Sequence, residues 1–369
     1  MALGHITSQN GLSHDMVLNL GRDTAGYVWM GTYDGLTRYD GRYCVVYRNI
    51  PGDSTSLPDN RIRGITCEPG GRMWVATNKG LAWFDAAKRT FHSINIQPPE
   101  GTAKSSMSAL AFDGKGHGWS VGSGYLLKLN LKTFEQTFYD MRKAYTAMTQ
   151  TFVDGKGRVW VMVDGYLFLF NDKTQKAEPF DVSGKSSHGG VSMATRLGAD
   201  LQGNFWISTW GHGMMKFDET QNKFWDYPDG LDAVISFSFD KHPEYGDLMW
   251  VGVGDKLGVV RLKDTTVHYF TTDPREPYGH NAHTVYDLMR DHSTGVVWVA
   301  TNFGVEKYDP GELKFARHFL DKNIYQGDQV AAHDVYESRT VPGRFYIQVW
   351  NKGLLVWDRP TDMYRALDS

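Results

Sequence analysis

Cysteine is scarce, with two in 369 residues. Cys44 and Cys67 fall in different expected strands, so they argue neither for a disulfide framework nor against export. No apolar run approaches the ~20 residues of a membrane helix. Lys and Arg nowhere cluster and the formal net charge is −3, which disfavours a nucleic-acid partner. Met1-Ala-Leu-Gly-His lacks the charged and apolar regions of a signal peptide, so the sequence reads either as cytosolic or as without its targeting segment. The familiar motifs of chemistry are missing too. There is no Gly-x-Ser-x-Gly elbow, P-loop or dinucleotide fingerprint. The glycine-rich turns at 114–118 and 211–213 join strands and open no helix, so they cradle no phosphate. His280-x-x-His283 is the only close histidine pair, and no acid stands beside it at metal-site spacing. No metal, cofactor or catalytic residue is expected.

What the chain does have is aromatics, 14% of residues with 12 Trp, and they recur with a period. The stretch Gly11 to Gly41 gives an extended run (Met16 to Leu20), a polar turn with Asp23 and Gly26, and the apolar segment Tyr27 to Thr32. A second turn, Tyr33-Asp34-Gly35, leads into Leu36 to Asp40, and Tyr43 to Tyr47 supplies a fourth run. Four short strands joined by Gly/Asp turns make an antiparallel meander. One meander cannot bury its own faces and needs copies of itself.

The core Asp-x-x-Gly-x-x-Trp (Asp23, Gly26, Trp29) returns as Asp113/Trp119, Asp154/Trp160 and Asp200/Trp206, and as Glu68/Trp74 with Glu for Asp. Copies with longer first turns run Asp240 to Trp250 and Asp291 to Trp298, and Tyr346 takes the anchor place in the last. Eight anchors 41 to 48 residues apart, each with four expected strands, predict an all-β β-propeller of four-stranded antiparallel blades. The blades fall at 11–50, 57–97, 106–140, 145–182, 191–228, 231–271, 283–320 and 330–367, in one domain over 1–369. An eight-bladed ring is favoured because the last repeat owns a fourth strand, Met363 to Leu367; a seven-bladed ring plus one extra blade is the alternative. A further extended candidate, His5 to Ser8, precedes the first blade. A Trp buried between blades hides about 150–250 Å², roughly 4–6 kcal/mol of gross transfer free energy. The anchors Trp29, Trp74, Trp119, Trp160, Trp206, Trp250 and Trp298 are therefore structural.

A binding site needs asymmetry, which near-identical Asp-x-x-Gly turns do not provide. The second turns do differ: Tyr33-Asp34, Asn78-Lys79, Ser123, Asp164, Trp210-Gly211-His212, Gly254-Asp255-Lys256, Asn302-Phe303 and Trp350-Asn351-Lys352. They gather on one rim of a propeller. Tyr33, Trp210, Phe303 and Trp350 are aromatics that the strand pattern does not bury, ringed by Asp34, Asn78, Lys79, Asp164, His212, Asp255, Asn302 and Asn351. Rings that stack on C–H faces, beside groups that bond hydroxyls, suit an oligosaccharide. Arg61, Arg63 and Arg196, read as interblade loop residues, would favour a carboxylated or sulfated one. Glycoside chemistry needs two carboxylates roughly 5–10 Å apart, and Asp34, Asp164 and Asp255 stand in separate blades.

The pattern Leu12-Ser13, Val17, Asp23, Gly26, Trp29, Gly31-Thr32, Gly35-Leu36, Tyr39-Asp40 resembles the two-component regulator propeller repeat. Blade two (Thr77, Gly80, Leu81, Phe84, Asp85) and blade seven (Thr301, Gly304, Tyr308, Asp309) follow it closely. The resemblance implies a periplasmic sensor domain of a Bacteroidetes hybrid two-component system, in which an oligosaccharide switches a histidine kinase. It further implies a second propeller, a β-sandwich and a kinase in the full-length protein, and leaves room for a homodimer. The family's ligand site is no fixed motif, so it transfers no residues. The expectation is a non-catalytic, oligosaccharide-sensing propeller. A protein-interaction scaffold is the alternative, with a polysaccharide lyase or glycosidase behind it.

Overall fold

The computed structural model describes residues 3–99, 106–141, 149–182, 193–211, 213–227, 231, 233–270, 283–309, 332–349, 353–358, 361 and 363–367. It forms eight four-stranded antiparallel sheets, one for each repeat. In blade one the strands are Val17–Arg22, Val28–Thr32, Gly35–Tyr39 and Cys44–Tyr47, paired in that order. By contacts the chain divides into two compact units, Met1–Leu313 and Lys314–Ser369, where the repeat pattern alone drew one domain.

Five of the meanders are held at the first turn by one carboxylate. Asp23 Oδ1 accepts the Tyr27 N–H at 2.9 Å, and Oδ2 accepts the Trp29 indole N–H at 2.8 Å. The clamp recurs from Glu68 to Trp74 (2.9 Å), Asp113 to Trp119 (3.2 Å), Asp154 to Trp160 (2.8 Å) and Asp200 to Trp206 (2.9 Å). The sequence predicts backbone capping by these acids, and the structure adds the indole as a second client. In the two repeats with longer first turns the six-residue spacing is lost, and the Trp250 and Trp298 indole nitrogens have no partner.

The anchor indoles, clamped or not, join neighbouring sheets. Trp29 packs with Leu57 and Ile62 of blade two, Trp74 with Leu110 and Leu127 of blade three, and Trp119 with Val159 and Val161 of blade four. Trp160 meets Ala194 and Ile207, Trp206 meets Phe237 and Val251, and Trp250 meets Val285 and Val299. Trp298 of blade seven then packs on Val17, Val28 and Met30 of blade one. The Leu20 N–H bonds Asp287 Oδ2 at 2.9 Å, and Arg22 pairs with Asp291 at 3.0 Å across the same junction. Within Met1–Leu313, then, seven sheets close on themselves.

Of the two arrangements the repeats allow, these contacts are those of the seven-bladed ring with an extra sheet, not of closure over eight. The physical reason is the missing strand of blade seven. Leu3–Ile6 lies antiparallel on Gly304–Tyr308 as its fourth strand, so the N-terminal candidate completes this sheet and seals the ring. Near the axis the innermost strands leave no room for side chains on both sides. A Cβ on Gly64 would stand 2.5 Å from the Ala109 Cβ. The second unit is one sheet, Ala332–Glu337, Arg344–Val349, Gly353–Asp358 and Met363–Leu367. Its apolar cluster is Ile347, Val349, Leu355 and Trp357.

Burial alone would raise the carboxyls of Asp113, Asp154 and Asp200, but their N–H donors win and hold all three below the usual carboxylate range. A depressed folded-state pKa contributes stability above the unfolded value, ~3.9 for Asp, and loses it as pH falls through the folded value. Denaturant midpoints are expected to be level from neutral pH down to about 5 and to drop below about 4. Asp154→Ala should cost about 1–3 kcal/mol at neutral pH by stranding the buried Trp160 indole. Urea unfolding measures both, and an unchanged midpoint for Asp154→Ala would remove the clamp from the account.

Candidate functional site

In four blades the second turn is hydrogen-bonded to the chain entering the next blade, which places these turns at one end of the ring. The Gly35 N–H bonds the Asn60 carbonyl at 2.7 Å, and the Ala194 N–H bonds the Gly165 carbonyl at 2.9 Å. Val285 bonds Gly254 at 3.2 Å, and Gly304 bonds Asp15 at 2.6 Å. The Gly-Thr of the repeat closes the turn itself: Thr32, Thr77 and Thr301 each donate a hydroxyl to the carbonyl three residues on, at 2.8 to 3.0 Å. Gly304 follows with φ +105°, and a Cβ there would lie 2.3 Å from the Ile6 carbonyl. Backbone needs therefore consume the ends of the turn and leave its middle residues to vary.

At the corner of blades one and two those middle residues form a charged network. Asp34 pairs with Arg48 at 3.3 Å and accepts the Asn60 amide at 2.8 Å. Asp59 pairs with Lys79 at 3.6 Å and accepts the Arg61 backbone N–H at 2.9 Å. The Arg61 guanidinium lies over the Tyr33 ring at 4.2 Å and donates to the Tyr33 hydroxyl at 2.8 Å. Arg48, Asn60 and Asp59 were not candidates on sequence. They sit in the interblade connection, where only the fold brings them to the turn.

The expected aromatics separate into two kinds. Tyr33 is 40% exposed with one face under Arg61. Phe303 is 57% exposed with one face stacked on His283 at 4.5 Å. Trp210 is also 57% exposed, and no aromatic or cationic partner covers its ring among the described residues. Tyr166, beside Asp164 and 62% exposed, adds a fourth aromatic that the sequence reading passed over as the start of a strand. Asn78, Asp164 and Asn302 are half-buried, and Lys79 and Asp255 are exposed. Asn302 Oδ1 is buried with no hydrogen-bond partner. His212, Trp350 and Asn351 lie outside the described residues. No group of three metal-ligating side chains occurs among the described residues.

One expected rim cation belongs elsewhere. Like Arg63, which lies in the strand Ile62–Cys67, Arg196 is not in a loop but in an innermost strand, Met193–Ala199. Its Nη2 reaches Asp287 Oδ1 of blade seven at 2.5 Å, past blade six. Burial pushes the Asp287 carboxyl upward, while Arg196, the N–H groups of Leu20 and Leu288, and Ser236 pull against it. Gln150 bonds both backbone groups of Leu197, at 2.8 and 3.0 Å. Here three innermost strands are tied across the channel. A cavity of about 450 Å³ opens by Arg196, Asp200, Phe237, Ser238 and His292, at the end carrying the first turns. Of the expected rim residues only Arg196 lines it, and Gln150, Arg196 and Asp200 are engaged by their own neighbours.

Asp287→Ala removes one side of a largely buried ion pair and strands the Leu20 N–H. A loss of roughly 3 kcal/mol is expected, the low end for breaking such a pair because Arg196 is partly exposed. Thermal and urea unfolding would check it, and a loss under 0.5 kcal/mol, the level of an ordinary surface change, would make the bridge incidental.

No family model matches the chain. Over its whole length it superposes on the extracellular domain of a putative hybrid two-component system from B. thetaiotaomicron, with TM-score 0.74, 18% identity and 49% of that chain covered. A second such domain from the same organism gives TM-score 0.67 and 16% identity, over 99% of this chain and 47% of that one. The chain thus spans about half the length of these solved domains. A 51-residue stretch is 45% identical to histidine kinase P4 of Formosa agariphila, covering 14% of this chain and 4% of that protein. In its fold, the chain is similar to the extracellular domains of these two-component systems.

Proposed function

We propose that this chain is the ligand-sensing part of an extracellular or periplasmic two-component receptor, and that the second-turn rim binds an oligosaccharide. The observation that carries this is Trp210, a ring 57% exposed at the end of an otherwise buried strand. Phe205 to Thr209 are all buried, so packing does not require a large side chain at the sixth position. An aromatic face in water is a costly thing to leave open at ~25 cal/mol per Å². The C–H face of a pyranose covers it, and the sugar hydroxyls then meet the amides and carboxylates of the same rim. Tyr33 and Phe303 supply two more rings at this end, each already braced by a partner.

The action would be non-catalytic. Ligand shifts a conformational equilibrium only by its differential affinity for the two states, so the rim must bind one arrangement of the receptor better than the other. The kinase that reads this out, and the second propeller and sandwich implied by the repeat, belong to this proposal. Trp210→Ala should weaken oligosaccharide binding about tenfold or more and change stability by no more than about 0.5 kcal/mol, as for an exposed site. Calorimetry against a panel of neutral and acidic glycan fragments, with parallel unfolding curves, makes the test. Absence of heat with every sugar would favour a protein-binding surface, and release of unsaturated or reducing-end products would favour an enzyme.

A further inference from the structure

The corner of blades one and two carries more positive charge than its neighbours neutralise. Its carboxylates are both committed, Asp34 to Arg48 and Asp59 to Lys79. Arg61 stands among them with no carboxylate partner among the described residues. Among the described residues its guanidinium contacts the face and the hydroxyl of Tyr33. Its Nε is buried and makes no hydrogen bond. Two residues on, Arg63 sits at an irregularity of the innermost strand, between Ile62 and Gly64, where the pairing register shifts. Burial pushes the Arg63 guanidinium down, and the like charge of Arg61 pushes it down further.

We infer that this corner is an anion subsite, which takes a carboxylate or sulfate substituent of an acidic oligosaccharide on Arg61, beside Tyr33. The inference rests on the rim being a sugar site and deepens that reading by naming the class of sugar. The guanidinium fork suits either substituent, since both offer coplanar or near-coplanar oxygens to paired N–H donors. The orientation of Arg61 is already set, because stacking on Tyr33 and the bond to its hydroxyl fix the plane. The open face of Tyr33 is then left for the ring that bears the acid. Arg63 contributes its field.

The 369-residue chain is titrated calorimetrically with short oligogalacturonates and their carboxyl-reduced counterparts, and with chondroitin sulfate fragments and their desulfated counterparts. One series should bind at least about tenfold tighter than its counterpart stripped of the carboxylate or the sulfate, and Arg61→Gln should erase that difference. Which series responds identifies carboxylate or sulfate. The affinity should also fall with rising salt for the parent protein and much less for Arg61→Gln. Arg61→Lys, which keeps the charge but not the fork, should recover part of the preference. Melting curves check that each variant is folded, and Arg63→Lys serves as the second variant should Arg61→Gln melt early. If the members of each pair bind alike, or the preference survives Arg61→Gln, the anion subsite is wrong while the sugar rim stands. If no sugar binds, both readings fail together.

Discussion

The hydrogen bond between a first-turn carboxylate and an indole six residues later is the interaction on which the architecture depends. It fixes the turn and the large side chain at once. The same acid accepts backbone N–H groups on its other oxygen, as at Asp23 and Asp154, so turn geometry and indole position cannot be set separately. The indole then fills the space between its own sheet and the next. Local turn chemistry is thereby converted into a fixed relation between neighbouring blades. Where the turn lengthens, at Asp240 and Asp291, the acid finds other partners, namely Arg290 and the hydroxyls of Ser293 and Thr294. Those two indoles are buried by packing alone.

A ring built this way is nearly symmetric, and function has to come from its departures. Two kinds are present. One lies along the channel, where Arg196, Asp287 and Gln150 tie blades four, five and seven and hold no group open to a ligand. The other is the second-turn rim, where backbone requirements are met by Thr and Gly and the residues between them vary from Tyr33-Asp34 to Asn302-Phe303. There the side chains are exposed, charged or aromatic, and several stand in pairs that make flat faces of fixed orientation. Rigid shelves beside hydrogen-bonding groups are what a sugar needs, since it loses little by binding to a surface that does not reorganise.

Much of this was legible in the sequence because period and spacing are one-dimensional. The seven anchoring Trp residues, the strand count and the acid–Trp spacing could all be read from residue numbers. Closure could not. Leu3–Ile6 carries no repeat signature, and its partner strand Gly304–Tyr308 is some three hundred positions away. The eighth repeat's complete set of strands pointed to a ring of eight for a reason that was true of that sheet and irrelevant to the ring. At the rim, the exposure of Tyr33, Trp210 and Phe303 followed from turn positions, whereas the roles of Arg48, Asn60 and Asp59 depended on which chain segment enters beside the turn. Arg196 shows the same limit. Its Gly/Ser/His surroundings suggested a loop, while strand pairing and an acid 91 residues on placed it across the channel.

The central claim is that ligand contact is confined to the turns that break the ring's repetition. Hydrogen–deuterium exchange of the chain, with and without a bound oligosaccharide, tests it most directly. Slowed exchange is predicted around 33–35, 78–80, 210–213 and 302–304, with the Asp-x-x-Gly turns at 23–26 and 154–157 unchanged. Protection confined to the first-turn end near Asp200 and His292, or to the outermost strands, would contradict it.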